Sequence, residues 1–84
     1  MRHSNKITRA VQELLAYRSR RYGTRFIGTA DIHKHLIRKG SPAQLADVQR
    51  SVVDLAGDRI GPFVVGHRRG GDVVVLVRYR EESA

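Results

Sequence analysis

The sequence contains no cysteine, few acidic residues and no long apolar run. Without cysteine, neither a disulfide nor a thiolate metal site can brace the chain, so its 84 residues depend on one hydrophobic core. No stretch approaches the ~18 apolar residues of a membrane span, and the polar amino-terminal residues do not resemble a signal peptide. We therefore expect one domain over residues 1–84, with a core at about 6–80 and short polar tails, in the cytoplasm or at the nucleoid.

Positive charge is what the chain has in excess. Sixteen lysine and arginine residues oppose eight acidic residues, which gives a formal net charge of +8 at pH 7. Charge of this sign attracts polyanions and steers their association. Nucleic acid is the first candidate partner, an acidic protein surface the second and anionic lipid the third. Arginine outnumbers lysine, which suits bidentate phosphate contacts but also follows from GC-rich coding.

A sharp helix break at residues 39–42 organises the middle of the chain. Gly40 suits the end of a helix, because glycine adopts positive φ without a Cβ penalty. Ser41 can cap a following helix, Pro42 suits its first position, and Gln44 completes a capping box. One helix that ends where another begins is typical of a helix-turn-helix.

Apolar periodicity predicts three helices, at residues 7–22, 29–39 and 42–56, with Thr29 as the cap of the second. Each helix carries apolar side chains at helical spacing, which predicts a buried face. These are Ile7, Val11, Leu14 and Leu15 in the first helix, Ile32 and Leu36 in the second, and Leu45, Val48, Val52, Leu55 and Ala56 in the third. The opposite face of the third helix would carry Ala43, Ala46, Asp47, Arg50 and Asp54, flanked by Gln49 and Val53.

The carboxyl-terminal third predicts a β-hairpin. Residues 63–67 and 73–77 are rich in β-branched side chains, and the glycine pair at 70–71 permits a turn between them. Residues 24–28 can form one further short strand. Ile60, in the loop before the hairpin, is expected to insert into the core.

In this order of elements, and in the turn at residues 40–42, the sequence resembles the winged helix-turn-helix superfamily over about residues 6–79. The resemblance implies an α+β fold: a small winged helix domain, three helices with a carboxyl-terminal two- or three-stranded antiparallel sheet. It also implies duplex DNA as the ligand, residues 42–56 as the recognition helix, and residues 68–71 as the tip of the wing.

The expected DNA-binding residues come from these elements. Arg50 and Gln49 would read base edges in the major groove. Arg68 and Arg69 would bring positive charge to the wing, where a narrow minor groove attracts arginine. The expected phosphate contacts are Lys34, Arg38, Lys39 and Ser41.

Two acidic residues oppose this interpretation of the third helix. Asp47 and Asp54 lie three residues before and four after Arg50, and phosphates repel carboxylates. Either the arginine is held by pairs within the helix, or this helix docks on protein. The second alternative makes the chain a protein–protein adaptor on a winged helix scaffold.

The last predicted strand does not alternate between apolar and polar residues. Its five consecutive apolar residues, 73–77, call for cover on both faces. Placing Val64, Val74 and Leu76 on the uncovered face predicts a dimer or partner interface. Alternatively, a terminal segment covers them or the exposure is tolerated. A twofold dimer would suit a pseudo-palindromic DNA site.

RNA binding is a third possibility. Tyr17, Tyr22 and Phe26 lie near the arginine-rich residues 18–25 and could stack on bases, although Tyr22 and Phe26 could equally belong to the core.

We expect no enzymatic activity, cofactor or small-molecule substrate. The carboxylates are scattered, no nucleophile is paired with a histidine, and the glycine pair does not precede a helix. His33 and His35 would point about 200° apart on a helix, so we expect no metal site. The function expected from the sequence is duplex DNA binding by a small transcriptional regulator or accessory factor, as a monomer or homodimer.

Overall fold

The computed structural model describes residues 4–23, 25–68, 70 and 72–78. Three helices and four strands follow one another: α1 (Ser4–Tyr22), β1 (Arg25–Gly28), α2 (Thr29–Arg38), α3 (Leu45–Leu55), β2 (Arg59–Ile60), β3 (Phe63–Arg68) and β4 (Val73–Arg78). The predicted α+β class, three helices and antiparallel hairpin are confirmed.

The four strands form one antiparallel sheet in the order β1-β4-β3-β2. Strand β1 pairs with β4, with Ile27 opposite Val74, and strand β2 pairs with β3 on the other side, with Ile60 opposite Phe63. The sheet has more strands than the two or three predicted, because β2 forms within the predicted loop. Ile60 is buried in the core, as predicted.

The core lies between the three helices and one face of the sheet. The apolar stripe predicted for α1 is buried, as are Ile32 and Leu36 of α2. In α3, Val48, Val52 and Leu55 are buried, but Leu45 and Ala56 are exposed because the helix begins and ends inside the predicted bounds.

The end of α2 follows the sequence prediction. Gly40 has a φ of +89°, and its amide donates to the carbonyl oxygen of Ile37 at 2.9 Å. The Ser41 amide donates to the carbonyl oxygen of Leu36 at 2.9 Å. Together with the Lys39 amide, which donates to His35 and Leu36, these two bonds satisfy carbonyl groups in the last turn of α2.

The predicted start of α3 is wrong. The helix begins at Leu45, and its capping box consists of Gln44 and Asp47, not of Ser41 and Gln44. The amide of Gln44 donates to Asp47 Oδ2 at 3.3 Å. Ala43 precedes the helix and is buried, and its carbonyl oxygen accepts a hydrogen bond from His33 Nε2 at 3.0 Å. The segment between the helices is therefore an extended, anchored connection.

The prediction that Val74 and Leu76 form an exposed partner interface is also wrong. Both side chains are fully buried, because this side of β4 faces the helices. Val64 lies on the opposite side of the sheet, opposite Val77 in the β3–β4 register, and is half-buried. We call this helix-free side the outer face of the sheet.

Candidate nucleic-acid interface

Helix α3 has one face in the core and one in solvent. Val48, Ser51, Val52 and Leu55 are buried. The Ser51 hydroxyl lies 3.0 Å from the Thr8 hydroxyl of α1, a hydrogen bond that fixes α3 against α1 and that no sequence pattern indicated. The exposed residues of the opposite face are Ala46, Arg50, Val53 and Asp54.

Arg50 is not held by pairs within its helix. The ion pair between Arg18 and Asp31 and the contact between His67 and Asp72 do not involve Arg50. Asp47 is half-buried and caps the helix through the Gln44 amide, so one of the two opposing carboxylates has a structural role. The guanidinium of Arg50 is thus not held within its helix, and because the Asp54 carboxylate is exposed one turn later, docking of α3 on protein stays an alternative to DNA binding.

The carboxyl-terminal half of α2 carries a cluster of positive charge. Lys34, Arg38 and Lys39 are exposed, and Ser41 beyond them is half-buried. Burial lowers the pKa of His35, and the nearby charges of Lys39, Arg18 and Arg38 lower it further. Arg18, Arg38 and Lys39 therefore lie close enough to act on one imidazole, and we call these three residues the basic cluster.

Asp72, in the β3–β4 turn, joins three elements of the fold. Its Oδ2 accepts hydrogen bonds from the Thr29 hydroxyl at 2.8 Å and from the Gln49 side-chain amide, and its Oδ1 accepts one from His67 Nε2 at 3.3 Å. Its carbonyl oxygen lies 3.3 Å from the Thr29 amide, which donates to it. The turn is thereby fastened to both α2 and α3.

This arrangement changes the expected roles of several residues. Thr29 makes no capping bond in α2, whose N-cap is Gly28, because its hydroxyl is directed to Asp72. Gln49 is likewise held by Asp72 and is half-buried, so it is not an open base-reading side chain in the free protein. Among the described turn residues Asp72, with a φ of +51°, takes the left-handed conformation expected of glycine.

Of the two arginines predicted to form the wing tip, the structure describes Arg68. Arg68 lies on the outer face of the sheet, with its guanidinium carbon 5.8 Å from the centroid of the Phe26 ring. Phe26 and Tyr22 are both exposed, which excludes the core position that the sequence allowed for them. Arg69 lies outside the described residues.

The Asp72 contacts predict a specific acid sensitivity. The hydrogen bond from Thr29 is the largest of the effects that lower the pKa of Asp72, and those from His67 and Gln49 add to it. A carboxyl group with a lowered pKa in the folded state stabilises the fold above its unfolded pKa, and this stability is lost as the pH falls through the folded pKa. Asp72→Asn, which tolerates the same backbone conformation, should lower the free energy of unfolding by about 1 kcal/mol at neutral pH.

The difference between wild type and Asp72→Asn should then narrow as the pH falls, in urea unfolding curves recorded from neutral pH down to about pH 3. Asp54→Asn, at an exposed carboxylate on α3, is the control and should show no such pH-dependent difference. A gap between wild type and Asp72→Asn that stays constant with pH would show that the carboxylate charge does not stabilise the turn.

No group of three or more histidine, cysteine, aspartate or glutamate side chains in the described part of the chain is placed to hold a metal ion. Within the same residues, no helix combines the length and apolar character needed to cross a membrane. Comparison of the chain with protein-family models, curated proteins and solved structures finds no match in any of the three. A proposal for its function therefore depends on the residues of the chain itself.

Proposed function

We propose that this chain is a winged-helix protein that binds duplex DNA through α2 and α3, as a small transcriptional regulator or accessory factor. The observation that carries the proposal is the exposed face of α3, on which Arg50 lies between the small apolar residues Ala46 and Val53. The basic cluster lies mainly on the adjoining helix. The net charge of +8 supports a polyanionic ligand.

The arrangement of elements supports the winged-helix scaffold. Helices α2 and α3 follow each other across a short connection, β1 joins the hairpin beside β4, and the β3–β4 turn lies next to both helices through Asp72. A duplex that meets α3 would thus encounter a turn already fixed in position. Because the turn and the two helices are already held together, less conformational entropy is lost when DNA binds.

Each part of this surface has a defined role in the proposed complex. Arg50 donates to a guanine edge, and Ala46 and Val53 pack against thymine methyl groups in the major groove. The phosphate contacts are Lys34, Arg38, Lys39 and Ser41, which set register and affinity but read no sequence. Arg68 is assigned instead to the outer face of the sheet, where the structure places it.

The proposal is tested by fluorescence anisotropy with a labelled random duplex, starting near 50 mM salt, where a basic domain of this kind should bind non-specifically. Removing two phosphate contacts in Arg38→Ala/Lys39→Ala should reduce the slope of log K against log salt by about 1.8. Lys6→Ala/Arg9→Ala removes the same charge from exposed positions on α1 and should leave the slope nearly unchanged. Equal losses in both variants, or tighter binding of a structured RNA than of the duplex, would contradict the proposal.

His35 offers an internal probe of the same surface. The pKa of its imidazole is lowered by burial and by the basic cluster, and bound phosphates would offset those positive charges. The pKa of His35, followed by NMR of its ring protons, should therefore rise when duplex DNA is added. Because binding then favours the protonated imidazole, the affinity for DNA should increase as the pH falls through the pKa of His35. If DNA binds while the pKa of His35 stays constant, the phosphates lie away from the basic cluster.

A further inference from the structure

The outer face of the sheet is an apolar surface that no described helix covers. In the strand register, Phe26 of β1 lies opposite Val75 of β4, which lies opposite Gly66 of β3. The next row continues from Val77 to Val64. Because neighbouring residues of a row lie on the same side of a sheet, these side chains form one continuous surface.

The exposure on this surface is concentrated in two large side chains. Phe26 is 66% exposed and Val77 is 47% exposed, while Val64 and Val75 are half-buried. Gly66 contributes no side chain, so Val75 has no side chain directly opposite it on β3. Aromatic residues and arginine are enriched at protein interfaces, and a contiguous exposed apolar patch marks an interaction site.

Positive charge borders this apolar surface. Arg68 extends across the sheet to the Phe26 ring, which lies two strands away, and Arg59 of β2 continues the row of Val77 and Val64. Both arginine side chains are exposed. A partner that covers the valines therefore meets positive charge at the border of this surface, most directly at Arg68 beside the Phe26 ring.

We propose that the outer face docks an acidic amphipathic segment of another protein. Its apolar side covers Phe26, Val75 and Val77, and its carboxylates meet Arg59 and Arg68. This surface is separate from the exposed face of α3, so the proposal does not depend on DNA binding.

The composition of the face favours this partner over the other occupants. A second copy of the chain carries the same net charge of +8 and would bring its own Arg59 and Arg68 against these residues. Single-stranded nucleic acid relies on aromatic side chains for stacking, whereas most of this surface consists of valines. An acidic apolar segment complements both the valines and the arginines.

The test uses two synthetic amphipathic helical peptides that share one apolar stripe, one with glutamates and the other with lysines on its flanks. The glutamate peptide should bind the wild-type chain, and the lysine peptide should not. Phe26→Ser/Val77→Thr should weaken binding of the glutamate peptide about tenfold or more. Ile37→Thr is the matched control, because Ile37 is 49% exposed on α2, and it should bind the peptide like the wild type.

Charge reversal tests the arginines. Arg59→Glu/Arg68→Glu should favour the lysine peptide over the glutamate peptide. Circular dichroism and urea unfolding of each variant report whether the fold is retained, so lost peptide binding cannot be mistaken for unfolding.

Three results would overturn the proposal. The first is failure of the glutamate peptide to bind, or binding that the outer-face variants leave unchanged. The second is a monomer–dimer equilibrium in sedimentation that Phe26→Ser/Val77→Thr abolishes, which would assign the face to a second copy. The third is displacement of the glutamate peptide by single-stranded RNA in wild type but not in those variants, which would assign the face to nucleic acid.

Discussion

Replacing Leu76 with alanine is expected to lower the free energy of unfolding by about 2–5 kcal/mol. Leu76 is fully buried on the central strand β4, where the truncated side chain would leave a cavity against the helices. A domain of this size has a total stability of about 4–13 kcal/mol, so the variant would be marginal or unfolded. Urea unfolding followed by circular dichroism measures the change.

Val77→Ala is the control for this prediction. Val77 is adjacent in sequence but lies on the outer face and is 47% exposed, so its truncation should cost less than about 1 kcal/mol. Equal destabilisation by the two variants would contradict the assigned faces of β4. Such a result would also return Leu76 to the partner interface that the sequence alone suggested.

Replacing Arg50 with alanine is expected to weaken binding to a preferred duplex by about 1–3 kcal/mol, or roughly 5- to 150-fold. This follows from the proposed contact of its guanidinium with a guanine edge, for which Arg50 is exposed and not held by an ion pair. The preferred duplex is first selected from a random library. Competition binding then measures the affinity of wild type and variant for that duplex and for single-base changes.

The loss should be confined to one position of the site, where the variant no longer distinguishes guanine from other bases. Lys34→Ala removes a positive charge from α2 and should instead weaken all sequences about equally. If Arg50→Ala also weakens all sequences equally, the residue contacts phosphate and α3 does not read bases through it.

The parts of the fold that were predictable have strong local signals. Gly40 ends α2 because its positive φ is open to glycine, and the helical stripes identify the buried faces wherever the periodicity is complete. Strand β2 was not predictable, because two residues carry no strand pattern and pair only because β3 lies beside them. The start of α3 was predicted wrongly, because Ser41 is a preferred cap residue and glutamine, which caps the helix in the structure, is not. In the structure the Ser41 amide completes the end of α2 instead.

The sequence also does not show which face of β4 is buried. Val74 and Leu76 cannot be distinguished from Val73, Val75 and Val77 by pattern, because an unbroken apolar run has no period of two. Their burial is decided by the side on which the helices pack. Assigning the wrong side places the buried side chains on the outer face and the outer-face side chains in the core.

The sequence predicted the site residues whose role depends only on exposure. It did not predict those whose role depends on contacts with residues distant in the sequence. Arg50, Lys34, Arg38 and Lys39 are exposed, as their helical positions indicated. Asp72 was expected only to form a turn, because its partner Thr29 lies 43 residues away in the sequence. The sequence did carry one signal for this role of Asp72. It follows a glycine pair, and an aspartate accepts hydrogen bonds and tolerates positive φ.

The most direct test of DNA binding through α3 is a duplex DNA titration followed by amide chemical shifts in a nitrogen–proton NMR spectrum. We predict the largest shifts at Ala46, Arg50 and Val53 and at the carboxyl-terminal half of α2, with β1 and the outer face of the sheet nearly unchanged. Shifts confined to the outer face, or no shifts near 50 mM salt, where a basic domain should bind DNA, would contradict this account.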